Sequence, residues 1–225
     1  MTATFITSTG TGIGKTFLTA GLVSYFRNQG KNVEAYKPVI SGFDHSSPEA
    51  SDTGILLSAL GRPLSAEEIG RISPWRFAVP LSPNMAARKE GRAIDFQALV
   101  TYAGKCATSA DVVLIEGVGG IMVPLDDHHT VLDWMLALRL PTLLVVGSYL
   151  GTISHTLSAL DVLGRHGIDV RAIVVDETPD STVAVEDTVA TITQFAKKTE
   201  VVALPRLGNP SQHNAAFSLI GQRLG

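Results

Sequence analysis

The chain has 225 residues, a formal net charge of −3 and one cysteine, Cys106. That length supports one large α/β unit or two small ones, and 45% hydrophobic residues with a mean hydropathy of +0.23 provide for a full core. The slight acidic excess argues against a nucleic-acid partner, the lone cysteine excludes an intramolecular disulfide, and no apolar run approaches the roughly 18 residues of a membrane span, so no membrane partner is expected.

Residues 3–7 (ATFIT) are apolar and β-branched and read as a short buried strand. A strand this close to the first residue leaves no leader, and the expectation is a cytoplasmic protein. Residues 15–27 read as a helix, with Phe17, Leu18, Gly21, Leu22 and Tyr25 sharing one face. Between them lies a loop rich in glycine and threonine, within TSTGTGIGKTF at 7–17. Small residues between a strand and a helix leave backbone N–H groups free at a helix N-terminus, a setting for phosphate. Lys15 adds a cation, and Thr16 adds a hydroxyl of the kind that ligates Mg²⁺. The pattern departs from the usual P-loop, which has glycine at the position of Thr9, but Gly10, Gly12 and Gly14 keep the loop permissive.

Further along, VEAYKPVI at 33–40 reads as a strand and 52–60 as a helix. The stretch 62–92 is rich in proline and gives no clear assignment. Then follow a helix over 95–108, the buried strand DVVLIEG at 111–117, a helix near 131–138, the strand TLLVVG at 142–147 and a helix over 152–166. The strand DVRAIVV at 169–175, a helix over 184–197 and the strand EVVAL at 200–204 complete the series. Strands apolar on both faces, alternating with helices, predict an α/β fold of the P-loop NTPase kind: a parallel sheet flanked by helices on both faces. No repeat, low-complexity tract or linker interrupts the chain, so one unit over 1–225 is the economical expectation.

Such sheets bind ligands outside the carboxyl ends of their strands. Polar residues and glycines gather there: Lys37, Pro38 and Ser41 after the second strand, Glu116, Gly117 and Gly119–Gly120 after DVVLIEG, Gly147 to Gly151 after TLLVVG, and Asp176 after DVRAIVV. Glu116 ends a buried strand, where a carboxylate is costly unless paired or bound to a metal. Mg²⁺ bridging to nucleotide phosphates is one partner, and a salt bridge or a helix cap is the alternative. Asp52 precedes an apolar helix and reads equally as its N-cap or as a ligand. Lys37 reads equally as a strand-end surface lysine or a functional cation. GTISH at 151–155 opens an apolar helix whose N-terminus either holds a carboxylate or is plainly capped by Thr152.

TGIGKT, YKPVISG, SDTGILL, PLSPNMAARKEGRAID, LIEGVGGIMVPL, LVVGSYLGTISH and VALPRL follow one another in an order and spacing that resembles the dethiobiotin synthetases. These are the ATP-dependent enzymes that form the ureido ring of biotin's precursor. The likeness spans nearly the whole chain. It implies a homodimer with active sites at the subunit interface. It implies conversion of 7,8-diaminononanoate, CO₂ and ATP to dethiobiotin, ADP and phosphate, through a carbamate and a carbamic-phosphoric anhydride. By the same resemblance Lys37, Lys15 and Thr11 are catalytic, and Thr16, Asp52 and Glu116 hold Mg²⁺. Ser41 binds substrate together with Gly151, Thr152 and Ser154 of the second subunit. The implied ATP site comprises Gly12, Ile13, Gly14, Lys15, Thr16, Phe17, Asp52, Glu116, Gly117, Val118, Gly119, Asp176, Glu177, Pro205, Arg206 and Leu207.

The chain departs from that pattern in places. Ser8 stands where the family has glycine, Gly10 where it has aspartate, and Gly12 where some members have glutamate. Asp176 replaces an asparagine that contacts adenine, and a carboxylate can accept from the adenine amino group but cannot donate to a ring nitrogen. Ser154 replaces another asparagine. Two other classes share such a loop. ParA/MinD-like partitioning ATPases carry an extra lysine early in it, where residues 8–10 here are Ser-Thr-Gly. Cobyrinate-type amidotransferases need a nucleophilic cysteine, and Cys106 lies on a helix end with no nucleophile elbow around it.

Overall fold

A computed structural model of the chain describes residues 1–196, 199–206 and 210–224, the side chains of 210–213 excepted. Six strands form one parallel sheet: β1 (Thr2–Ser8), β2 (Val33–Tyr36), β5 (Val112–Glu116), β6 (Thr142–Gly147), β7 (Val170–Asp176) and β8 (Glu200–Leu204). Their spatial order is β2-β5-β1-β6-β7-β8, and two further strands, β3 (Val39–Ser41) and β4 (Trp75–Phe77), pair with each other in a separate parallel sheet.

Alternation along the central strands feeds two cores, because successive side chains of a strand point to opposite faces. Phe5, Val113, Ile115, Leu144, Val146, Ile173 and Val175 belong to one cluster. Their neighbours Ile6, Leu114, Leu143, Val145 and Val174 belong to the other. The first cluster is covered by α5 (Phe96–Cys106), α6 (Val131–Leu138), α7 (Thr152–Arg165) and α8 (Val185–Phe195), through Leu99, Trp134, Leu163 and Ile192. The second is covered by α1 (Lys15–Asn28), α2 (Asp52–Leu60) and α9 (Pro210–Gln222), through Leu18, Leu22, Leu56 and Phe217. Each such side chain taken from water contributes about 1.5–3 kcal/mol, which explains the near-continuous apolar runs at 112–115 and 142–146.

Three stretches differ from the sequence expectation. The single strand over 33–40 is two strands in different sheets, because Pro38 has no N–H to continue the ladder. The chain turns at Lys37–Pro38, and Val39–Ser41 pairs with Trp75–Phe77 instead. The unassigned stretch 62–92 holds α3 (Ala66–Ile72), β4 and α4 (Pro83–Lys89). Helix α9 has no counterpart in the expected elements, although Ala216, Phe217 and Ile220 are spaced to share one buried face. It docks where Gly21 leaves room: a Cβ on Gly21 would lie 2.0 Å from the Phe217 ring.

Strand β1 lies between β5 and β6, so the chain runs outward on one side to β2 and on the other to β8. The order reverses beside β1, and the loop leaving it faces the crevice where ligands of such sheets bind. No described helix is long and apolar enough to cross a membrane.

Candidate active site

A cavity of about 950 Å³ opens at the carboxyl end of the sheet. The residues from Thr11 through Phe17 line it, with Lys37, Ser41, Asp52, Val118, Gly119 and Arg206. Gly14 opens α1 in the left-handed region, with φ of 93°. A Cβ there would sit 1.9 Å from Asp176 Oδ2 and 2.6 Å from Arg206 Nη2, so glycine is required by backbone and by space.

Lys15 is folded back into the loop. Its ammonium donates to Ser8 Oγ at 2.8 Å, to Gly10 O at 3.1 Å and to Gly119 O at 3.0 Å. Burial, aided by the neighbouring Lys37 cation, lowers its pKa to about 8, against the pull of Glu116 and Asp52.

Lys37 is the hub of the second cluster. It donates to Glu116 Oε1 at 2.6 Å and pairs with Asp52 Oδ2 at 2.8 Å. Burial alone would lower its pKa, but the two carboxylates overturn that and hold it above the ordinary lysine value. Glu116 is fully buried and also accepts from Thr16 Oγ1 at 2.7 Å and Thr19 Oγ1 at 2.9 Å. Its buried charge is thus compensated by the salt bridge that the sequence left open as one of the alternatives. Asp52 is not the cap of α2. Ser51 is, accepting from the Gly54 N–H at 3.1 Å, which frees the Asp52 carboxylate for Lys37. Burial opposes the ionisation of Asp52, yet Lys37 holds its pKa below the ordinary aspartate value.

At the other end of the loop Asp176 Oδ2 accepts from Arg206 Nε at 2.7 Å and Nη2 at 2.6 Å, while Asp176 Oδ1 is buried without a hydrogen-bond partner. Burial raises the Asp176 pKa to about 6, against the attraction of Arg206. The Arg206 guanidinium lies over the Phe17 ring, 5.1 Å from its centroid, and its backbone N–H donates to Glu177 at 2.8 Å. Asp176 itself does not line the cavity; its partner Arg206 does.

Of the remaining expected residues, Gly117 donates its N–H to Ile6 O at 2.9 Å at the end of β5, and Pro205 follows β8. Leu207 lies outside the described residues. Gly151, Thr152 and Ser154 do not line the cavity of their own chain. Gly151, with φ of 96°, is the N-cap of α7 in place of Thr152, whose buried hydroxyl donates to Gly147 O at 2.7 Å.

An AAA domain family model matches residues 2–213. A Methylobacterium nodulans protein named ATP-dependent dethiobiotin synthetase BioD is 46% identical over 205 residues, 87% of this chain and 90% of that one. The Phenylobacterium zucineum protein of the same name is 41% identical over 226 residues, 99% of this chain and 97% of its own. The chain belongs to the dethiobiotin synthetase family.

Solved structures add the fold. A chain of the MinC:MinD cell division protein complex from Aquifex aeolicus aligns over 100% of this chain and 96% of its own at 16% identity, with a TM-score of 0.60. Cobyrinic acid a,c-diamide synthase from Mycobacterium smegmatis, with a bound ATP analogue and magnesium, covers 99% at 15% identity, with a TM-score of 0.57. At such identities the partitioning-ATPase and amidotransferase readings keep architecture alone, and the dethiobiotin synthetase match outranks them.

Some participants escaped the sequence reading. Ile40, Ile55, Val123 and the run Pro80 to Pro83 line the cavity, and Thr19 grips Glu116. Thr19 sits three residues beyond Thr16 on α1, a spacing that places both on one helix face. The Pro80–Pro83 contribution depends on the β3–β4 pairing, which joins residues more than thirty apart.

Proposed function

We propose that the chain, acting as one unit over residues 1–225, is an ATP-dependent dethiobiotin synthetase that closes the ureido ring of 7,8-diaminononanoate with CO₂. The observation that carries this is that Lys15, Thr16, Lys37 and Asp52 line one cavity, with the buried Glu116 held just behind them by Lys37 and Thr16, in a chain of this family. An amine of the substrate takes up CO₂ as a carbamate, with loss of a proton. The carbamate oxygen attacks the γ-phosphorus of ATP and ADP leaves. The second amine then displaces phosphate from the mixed anhydride, losing its own proton.

Both the carbamate and the transferred phosphoryl group are anionic, so catalysis rests on positioned positive charge and N–H donors. Lys37 has two of its three donors engaged by carboxylates, which fix its ammonium at the cavity wall. Lys15 and the Thr11–Thr16 loop supply the phosphate cradle. Ser41, at the end of β3, contacts the diamine. The apolar wall from Ile40, Ile55 and Pro80 to Pro83 accommodates its alkyl chain.

Thr16, Asp52 and Glu116 suit Mg²⁺ in donor chemistry, a hydroxyl and two carboxylates; Thr16 and Asp52 line the cavity, while the buried Glu116 would have to give up Lys37, Thr16 or Thr19 to join them. Among the described residues no group of three or more His, Cys, Asp or Glu could hold a metal alone. When bound, Mg²⁺ neutralises phosphate charge. The substrate's carboxylate is assigned to Gly151, Thr152 and Ser154 of a second subunit, so the working species is a cytoplasmic homodimer. The test is incubation with 7,8-diaminononanoate, bicarbonate, ATP and Mg²⁺ and mass detection of dethiobiotin; its absence at any enzyme concentration overturns the reading.

A further inference from the structure

Ser8 is fully buried at the end of β1, and its hydroxyl touches four groups. It lies 2.8 Å from the Lys15 ammonium, 2.6 Å from Gly10 O, 3.0 Å from Gly119 O and 3.4 Å from Gly10 N. A hydroxyl has one proton to give and two lone pairs. An ammonium cannot accept, so Ser8 accepts from Lys15 and gives its proton to one of the two carbonyls.

Lys15 has three N–H donors and three acceptors around them: Ser8 Oγ, Gly10 O and Gly119 O. All three donors are spent inside the chain. Two of the acceptors are backbone carbonyls held by the loop and by the turn after β5. The third is a side chain, and it is the one a substitution removes without touching the backbone. A phosphate oxygen can take a hydrogen bond from Lys15 only if one of the three existing bonds breaks.

We infer that Ser8 is a positioning residue that competes with phosphate for a Lys15 donor and thereby sets the affinity for nucleotide. Its hydroxyl holds one of the three Lys15 donors and gives it up when a phosphate oxygen takes that donor. Ser8 does not touch the reacting atoms; it acts through Lys15. The inference goes beyond the proposed function and rests on it at one point, that this loop binds a nucleotide.

The experiment is calorimetric titration of ADP and of Mg·ATP into the wild-type chain, Ser8→Ala and Ser8→Cys, with thermal melting of all three. Removing the acceptor leaves one Lys15 donor free. Ser8→Ala should therefore bind nucleotide more tightly, by about ten- to a hundredfold, the order expected when one hydrogen bond to a charged group no longer has to be broken. Ser8→Cys, a weak acceptor of similar shape, should fall between them. In the steady state the KM for ATP should drop with kcat unchanged. A merely structural role would act in the opposite sense, weakening binding and lowering kcat together. Unchanged or weaker binding by a folded Ser8→Ala, or by Ser8→Cys should the alanine variant not fold, overturns the inference and leaves the nucleotide reading standing. No nucleotide binding by the wild-type chain overturns both.

Discussion

Lys37 and Glu116 form a buried ion pair at 2.6 Å that joins the end of β2 to the end of β5. Neither is conspicuous as half of a pair in the sequence, 79 residues apart. In the fold Lys37 also reaches Asp52, so one ammonium ties three elements around the cavity. Taking either partner away leaves the other charge buried, which costs far more than the net worth of the pair.

Lys37→Gln should therefore do two things. Turnover should fall on the order of 10²-fold or more, because charge is lost from a site that stabilises developing anions. Stability should fall by about 3–5 kcal/mol, because Glu116 is left without its cation. Dethiobiotin formation measured alongside denaturant unfolding separates the two. Near-normal turnover by a folded variant would remove Lys37 from the chemistry.

Asp52→Asn and Glu116→Gln should each raise the Mg²⁺ concentration needed for half-maximal activity. Both keep shape and remove an anionic oxygen that Mg²⁺ prefers. Glu116→Gln should also be the less stable of the two, since Glu116 is fully buried while 40% of the Asp52 side chain is exposed. Mg²⁺ titrations that match wild type for both variants would return these carboxylates to a purely structural, Lys37-holding role.

Asp176 should make the fold less stable as pH rises through weakly acidic values. Its folded pKa is raised to about 6 by burial. Between its ordinary value near 4 and that pKa, the folded chain holds a proton that the unfolded chain has lost. Stability from this group is thus full below about pH 4 and lost as pH climbs through about 6, a change of about 3 kcal/mol for two pKa units. Asp176→Asn cannot titrate, so its stability relative to wild type should climb over that window. A wild-type-to-variant difference independent of pH would show Asp176 ionised throughout, held by Arg206.

The shared-site dimer predicts complementation. Ser154 is exposed near the start of α7, so Ser154→Asp places a negative charge beside the assigned carboxylate without the backbone strain that a side chain at Gly151 would bring. Neither this variant nor Lys37→Gln should be active alone. After subunit exchange, a mixed dimer holds one site with both halves intact, and activity should return. Demonstrated exchange with no recovered activity would assign Ser154 to its own chain's site.

Much of the fold was legible along the chain. The runs at 142–147 and 200–204 and the helices at 52–60 and 131–138 fall where period and turn residues place them. The loop before Lys15 announces a phosphate site because glycines and Gly-Lys-Thr follow a strand and precede a helix, and that relationship is local. What was not legible depends on partners distant in sequence. The break at Pro38 could be suspected from proline chemistry, but the pairing of Val39–Ser41 with Trp75–Phe77 could not. Helix α9 has apolar spacing whose meaning depends on the gap at Gly21.

The same division holds within the site. Sequence alone determined which side chains carry charge and hydroxyls at the carboxyl ends of the strands: Lys15, Thr16, Lys37, Glu116 and Asp176. It left open whether Asp52 caps a helix, whether Glu116 is paired and what Ser8 does. Tertiary structure decided these, because each is a question of distance across elements. Ser51 takes the cap, Lys37 takes both carboxylates, and Ser8 closes the ring of acceptors around Lys15. Periodicity reports which face of an element is buried; only packing of one strand end against another puts a particular cation within 3 Å of a particular carboxylate.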